Sequence, residues 1–263
     1  MEGAGICFQA FIPMRREPDE RSEMTNQVLY GESFTILESN KKKNFSLIRL
    51  DHDNYKGWID SKTIYPFSGS EKAIFLSGSH EVTHNPFTIL TSQNGSVPLI
   101  IGCGSIIRSL KAKVLDPTGN DYLTPERQKN SGTGDTRNNL MLFGKKLLNI
   151  PYLWGGRSSF GFDCSGLCQN LYKQVGINIP RDSVFQSSMG RTISFIEEAQ
   201  TGDLAFFDNE DGEIIHAGMI FDKKMILHSS GKVKIDKMDH QGIYSSEQNR
   251  YTHRLRLIKN FID

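Results

Sequence analysis

Cys164 lies where a Gly-rich run, WGGRSSFGF, turns into DCSGLCQNLYKQVG, between Asp163, a good helix N-cap, and Ser165. At a helix start, free backbone N–H groups and the positive end of the helix surround a sulfur. Such a position is expected to lower a thiol pKa from ~8.5 towards neutrality and so to favour the nucleophilic thiolate. A small buried hydrophobe is the other fate of a free cysteine, and position alone does not decide between them. Cys168, one turn further in and next to Leu167, reads as core. A nucleophilic thiol needs a base, and the base needs an orienting partner. His216 opens the run HAGMIF and His228 ends KMILH, twelve residues later, with FDKKM between them suited to a hairpin turn. In paired strands the two rings can be neighbours. Either histidine could equally be structural, and Cys with two His could hold a metal, although no fourth ligand stands at a suitable spacing. His52, His80, His84, His240 and His253 lie in polar stretches and read as solvated.

The elements that must position these residues follow from periodicity. In RNNLMLFGKKLLNI the apolar Leu140, Phe143, Leu147 and Ile150 fall at steps of three, four and three, a helix with one buried face that Pro151 ends. Leu167, Leu171 and Val175 repeat at steps of four, and Gly176 is a C-cap for a second helix starting at or near Cys164. DLAFF, HAGMIFD, KMILHSS and HRLRLIKNFI are β-prone, so helices precede an antiparallel sheet in an α+β domain. Ahead of it, VLYGESFTILE, FSLIRL and YKGWID read as strands of a small β module, and AIFLSG, PFTILTS, VPLIIG and AKVLDP as a second. The polar stretch NDYLTPERQKNSGTGDTRN marks a linker.

Composition sets bounds on function. The chain has 263 residues, with 37% hydrophobic and 23% charged, which suits a soluble globular protein of one or two domains. Lys plus Arg is 31 against 30 for Asp plus Glu, so no overall field draws nucleic acid or an anionic membrane. The most apolar window, Val97 to Ile107, is interrupted by Gly102 and Gly104 and falls short of the ~20 residues of a spanning helix. Four cysteines make no dense framework, and the opening MEGAGICFQAFIPM lacks the basic start of a signal peptide, which points to the cytoplasm unless an export signal has been removed.

The run PYLWGGRSSFGFDCSGLCQNLYKQVGINIPRDS, followed by TGDLAFFD, HAGMIF and ILHSS, resembles the NlpC-type family of papain-like bacterial cell-wall cysteine peptidases over roughly residues 137–262. The resemblance implies a nucleophile at Cys164, a base at His216, His228 as the polar group orienting it, and Tyr152 with its hydroxyl near the thiolate and developing oxyanion. SEMTNQVLYGE and NYKGWI resemble the bacterial SH3-like domains that precede this catalytic domain in γ-D-glutamyl-L-diamino acid endopeptidases of the dipeptidyl-peptidase VI type. By that resemblance Glu23, Tyr55, Asp163 and Ser165 would meet the ammonium of a free N-terminal L-Ala, and Arg181 and Ser183 of IPRDS would lie near the D-glutamate α-carboxylate.

The expected architecture is thus α+β: an SH3-like barrel over 1–67, a second SH3-like module over 68–122, a linker over 123–136 and a papain-like catalytic domain over 137–263. The expected activity is hydrolysis of the γ-D-glutamyl bond to L-Lys or diaminopimelate in murein peptides during wall recycling, by a monomer without cofactor or metal. A hydrolase of intact wall in the envelope and a non-catalytic murein-binding module are the alternatives.

Overall fold

Apolar residues at alternate positions of FIPMR and FSLIRL give strands with one buried face, and the N-terminal half is built from such strands. A computed structural model describes residues 3–67, 73, 75–77, 79–91, 97–110, 113–114, 122–123 and 134–262. The chain divides into two units, Met1–Asn130 and Ser131–Asp263.

In the first unit, β1 (Gly3–Ile6), β2 (Phe11–Arg15), β3 (Met24–Leu29), β4 (Ser33–Asn40), β5 (Phe45–Leu50), β6 (Lys56–Asp60) and β7 (Tyr65–Phe67) make one antiparallel sheet in the order β3-β2-β6-β5-β4-β1-β7. Its core holds Ile12, Met14, Val28, Phe34, Ile48 and Ile59. The run VLYGESFTILE, read as one strand, is broken at Tyr30–Glu32, where Gly31 takes a φ of +77°. The next strands, β8 (Ser79–Val82), β9 (Phe87–Leu90), β10 (Leu99–Gly102), β11 (Ile106–Leu110) and β12 (Lys113–Val114), form a three-stranded sheet, β12-β11-β8, and a separate β9–β10 hairpin. They share a core with the first sheet, since Tyr30 packs with Leu90, Ile101, Ile107 and Tyr122.

The corner at Gly31 joins the two sets of strands. The Ile106 N–H donates to the Tyr30 carbonyl at 2.8 Å, and the Arg108 guanidinium donates to the Gly31 carbonyl at 2.5 Å. A Cβ at position 31 would stand 1.8 Å from the Ile106 carbonyl oxygen, in a backbone region L side chains avoid. Gly31→Ala is therefore expected to cost roughly 2–4 kcal/mol, read as a lower urea midpoint for the N-terminal unit; a loss below about 0.5 kcal/mol would show that the corner relaxes freely.

In the second unit, α1 (Thr136–Lys146) starts inside the span expected as linker, with Asp135 as its N-cap; residues 124–133 of that span lie outside those described. The helix ends before Ile150, and Asn149 leaves it with a φ of +68°. A short hairpin, β13 (Arg157–Ser158) and β14 (Gly161–Phe162), leads into α2 (Cys164–Gln174), and α3 (Ser183–Ser187) follows. Then come β15 (Arg191–Ile193), β16 (Leu204–Asp208), β17 (Ile214–Asp222), β18 (Met225–Ser230), β19 (Lys232–Asp239), β20 (Gly242–Ser245) and β21 (Arg250–Asn260). The sheet runs β15-β21-β16-β17-β18-β19-β20, and β20 also pairs with β21, so six strands close into a ring. Phe207, Ile220, Ile226, Met238, Ile243 and Ile258 fill one core of this sheet, and α2 packs across β17 and β18. Strands β19 and β20 escaped the sequence reading. Among the described residues no helix is long and apolar enough to cross a membrane.

Candidate active site

Helix α2 begins at Cys164 because Asp163 caps it: its Oδ1 accepts from the Gly166 N–H at 2.7 Å. Its Oδ2 accepts from the Gly155 N–H at 2.9 Å, which ties the Gly-rich loop to the helix start. Arg181 closes the arrangement, donating to Asp163 Oδ1 at 3.0 Å, to Oδ2 at 2.5 Å and to Ser165 Oγ at 2.9 Å. Asp163, Ser165 and Arg181 are all buried, and both Asp163 oxygens are engaged within the protein. The structure thus places Arg181 as counter-ion to Asp163, the residue that precedes Cys164. Ser183 opens α3, whose Gln186 donates to the Ser165 carbonyl at 3.1 Å.

Hydrogen bonds to backbone carbonyls bring the remaining elements to the same place. Ser229 Oγ of β18 donates to the Phe162 carbonyl at 2.7 Å, two residues before Cys164. The Tyr152 N–H donates to the Gly231 carbonyl at 2.9 Å, in the turn between β18 and β19. Burial pushes the Tyr152 hydroxyl pKa up, with Cys164 and Asp163 adding to the shift, so the phenol stays a neutral donor beside the sulfur.

The Cys164 sulfur takes hydrogen bonds from the N–H groups of Ala217 and Ser165, which sets it against β17 at the residue following His216. The helix start was expected to lower its pKa. Instead burial, reinforced by the Asp163 carboxylate, outweighs those N–H groups and the nearby Arg181 and pushes the thiol up to about 11. Burial holds His216 well below its ordinary value, helped by His253 and His228. Both shifts favour the uncharged forms, a neutral Cys164 thiol and a neutral His216 imidazole.

His216 and His228 are neighbours, as the hairpin reading required: His216 Nε2 and His228 Nδ1 are 3.0 Å apart, with the rings at 90°. Gly218 faces His228 across the strands, and a Cβ there would stand 3.0 Å from the His228 Cβ. His228 Nε2 meets Asp236 Oδ2 at 3.1 Å. Two groups here were missed from sequence. His253, read as solvated, stacks on His216 with ring centroids 4.1 Å apart and an interplanar angle of 24°, because the β20–β21 pairing turns it inward opposite Ile243. Asp236 stands eight residues beyond His228 on a strand not recognised; counting in steps of two around a turn at Gly231 is the signal that could have found it. Among the described residues no three His, Cys, Asp or Glu side chains are grouped to hold a metal ion.

Three buried or half-buried imidazoles make stability depend on pH. Burial lowers the pKa of each ring, that of His253 to about 4, so below ~6.5 the unfolded chain binds protons that the folded one refuses. Stability is complete above that pH and falls as pH drops, by up to about 1.4 kcal/mol per unit for a fully buried ring and less for the half-buried His253. The urea midpoint should fall between pH 7 and pH 5, and His253→Gln should flatten the slope; a slope unchanged by that substitution would contradict the assignment.

Glu23 and Tyr55 belong to the N-terminal unit. Glu23 Oε2 pairs with Arg16 at 2.7 Å, and Tyr55 packs, partly buried, against the core of the first sheet.

Residues 149–253 match the model of the NlpC/P60 family, and residues 14–64 match that of the bacterial dipeptidyl-peptidase Sh3 domain. The chain is 29% identical over 243 residues to a gamma-D-glutamyl-L-lysine dipeptidyl-peptidase of Bacillus cereus, covering 80% of this chain and 70% of that one. It is 24% identical to dipeptidyl-peptidase 6 of Lysinibacillus sphaericus, over 90% of this chain and 92% of the relative. The crystal structure of an NlpC/P60 family protein from Bacillus cereus superposes with a TM-score of 0.83 at 22% identity, covering 99% of this chain and 100% of that one. The chain therefore carries an NlpC/P60 domain, the catalytic part of a cysteine peptidase, together with a bacterial dipeptidyl-peptidase SH3 domain.

Proposed function

We propose that this cysteine peptidase hydrolyses the bond between the γ-carboxyl of D-glutamate and an L-diamino acid, L-Lys or diaminopimelate, in murein peptides bearing a free N-terminal L-Ala. The observation that carries the reading is the continuous likeness to gamma-D-glutamyl-L-lysine dipeptidyl-peptidase along both units, joined to the His216–His228 pair and to Cys164 set against the residue that follows His216. In the reaction, Cys164 Sγ attacks the γ-carbonyl while its proton passes to His216. The protonated imidazole then gives that proton to the leaving α-amine of the diamino acid. Water, deprotonated by His216, cleaves the thioester and frees L-Ala-D-Glu with Cys164 restored. The N–H groups beside the sulfur and the neutral Tyr152 hydroxyl are the donors available to the oxyanion.

Small peptides with a free amine are products of wall breakdown, which fits a place in cytoplasmic murein recycling. The test is hydrolysis of L-Ala-γ-D-Glu-L-Lys beside its N-acetylated form. Release of L-Ala-D-Glu and lysine from the first alone is the expected result. Equal cleavage of both would favour a hydrolase of intact wall, and cleavage of neither would overturn the proposal.

A further inference from the structure

The catalytic imidazole must present a bare nitrogen to the thiol, and an isolated imidazole carries its proton on either ring atom. Something in the fold has to choose. Hairpin β18–β19 pairs His228 with Lys234, which puts Asp236 two residues further along β19 on the same face. Asp236 Oδ2 lies 3.1 Å from His228 Nε2 and 3.1 Å from Lys234 Nζ. Lys234 also approaches Glu247 at 3.6 Å, so the ammonium sits between two carboxylates.

We infer that Asp236 is a positioning residue of the reaction, selecting through His228 the ring nitrogen of His216 that accepts the thiol proton. An ionised carboxylate can only accept, so His228 Nε2 carries the hydrogen. The neutral His228 ring then offers Nδ1 as an acceptor. His216 Nε2, 3.0 Å away, must donate to it, and His216 Nδ1 is left bare. With the carboxylate gone the pair can reverse: His228 Nδ1–H donates to His216 Nε2, the remaining proton sits on His216 Nδ1, and that ring can no longer take a proton from sulfur there. Lys234 supports the choice by favouring the ionised form of Asp236, whose carboxyl is held below the usual range chiefly by the His228 hydrogen bond. His253 lies with its ring flat on that of His216, and so does not compete for either nitrogen of His216.

The inference rests on the proposed reaction only for the substrate of its kinetic arm. In the spectroscopic arm, the 15N shifts of the wild-type protein should show His228 and His216 both protonated at Nε2 and bare at Nδ1. Asp236→Ala should mix the tautomers, lower kcat on L-Ala-γ-D-Glu-L-Lys roughly 10- to 100-fold and leave KM within about two-fold. Asp236→Asn keeps an acceptor oxygen and should recover part of the rate. A wild-type spectrum with the proton on Nδ1 of His228 overturns the inference, as does a kcat for Asp236→Ala within about two-fold of wild type. Should the alanine variant not fold, the wild-type spectrum and the asparagine variant decide. A wild-type protein that leaves the peptide intact would sink the proposed substrate, while the spectra would still judge the role of Asp236.

Discussion

Cys164→Ala should fold like the wild type and lose hydrolysis of L-Ala-γ-D-Glu-L-Lys by roughly 10⁴-fold or more, the scale on which removing a nucleophile acts. The side chain is small and 9% exposed, the Asp163 cap uses other atoms, and alanine gives up only the weak N–H contacts of Ala217 and Ser165 to sulfur, so little folding energy depends on it. Binding should survive, because the elements around Cys164 are held by Asp163, Arg181 and Ser229. The measurement is a rate by product chromatography together with peptide affinity by calorimetry. A variant that keeps more than a few per cent of the wild-type rate would show that the thiol is not the attacking group. The raised Cys164 thiol adds a second readout. With its pKa near 11, the Cys164 thiol should be alkylated by iodoacetamide near neutral pH more slowly than a free cysteine, contrary to what its place at a helix start suggests.

The largest effect on stability is expected from Arg181→Met. The guanidinium is 2% exposed and neutralises a carboxylate 10% exposed, and breaking a buried pair by deleting one partner typically costs about 3–5 kcal/mol. The loss falls on the part of the fold that holds Cys164, since Asp163 caps α2, anchors the Gly155 loop and shares Arg181 with Ser165. Stranded without a counter-ion, the buried Asp163 carboxylate would lose the partner that offsets its desolvation, and the capping bonds it makes would weaken. Urea melts of the full chain should show the drop in the C-terminal unit, and the double variant Asp163→Asn with Arg181→Met should regain a large part of it. A loss under about 1 kcal/mol for the single variant would mean that water replaces the guanidinium at little cost.

The parts of the site that could be read from sequence are those fixed within one element or one turn. Asp163 followed by Cys164, and Gly176 after Val175, marked the ends of α2 within a residue, and the spacing from His216 to His228 placed the two rings together. What could not be read depends on pairings made far along the chain. Asp236 reaches His228 only in the observed β18–β19 register, and a shift of one residue would turn it to the other face. His253 reaches His216 only because β20 and β21 close the ring. The direction of the Cys164 shift was misjudged for a related reason: the helix start is written locally, whereas the burial that outweighs it is the sum of packing from β17, α3 and the Gly-rich loop.

The closing of that ring also sets an order in time. During synthesis the thiol of α2 leaves the ribosome first, the two relay histidines follow, and β21, which bonds to β15, β16 and β20 together, comes last of the barrel strands. Until then β16 and β20 have no partner on that side, and His216 lacks the ring that stacks on it. A nascent chain stalled before Arg250 would thus carry every member of the Cys164, His216, His228 and Asp236 series without the framework that aligns them. Alignment of these side chains would wait for the pairing of that strand.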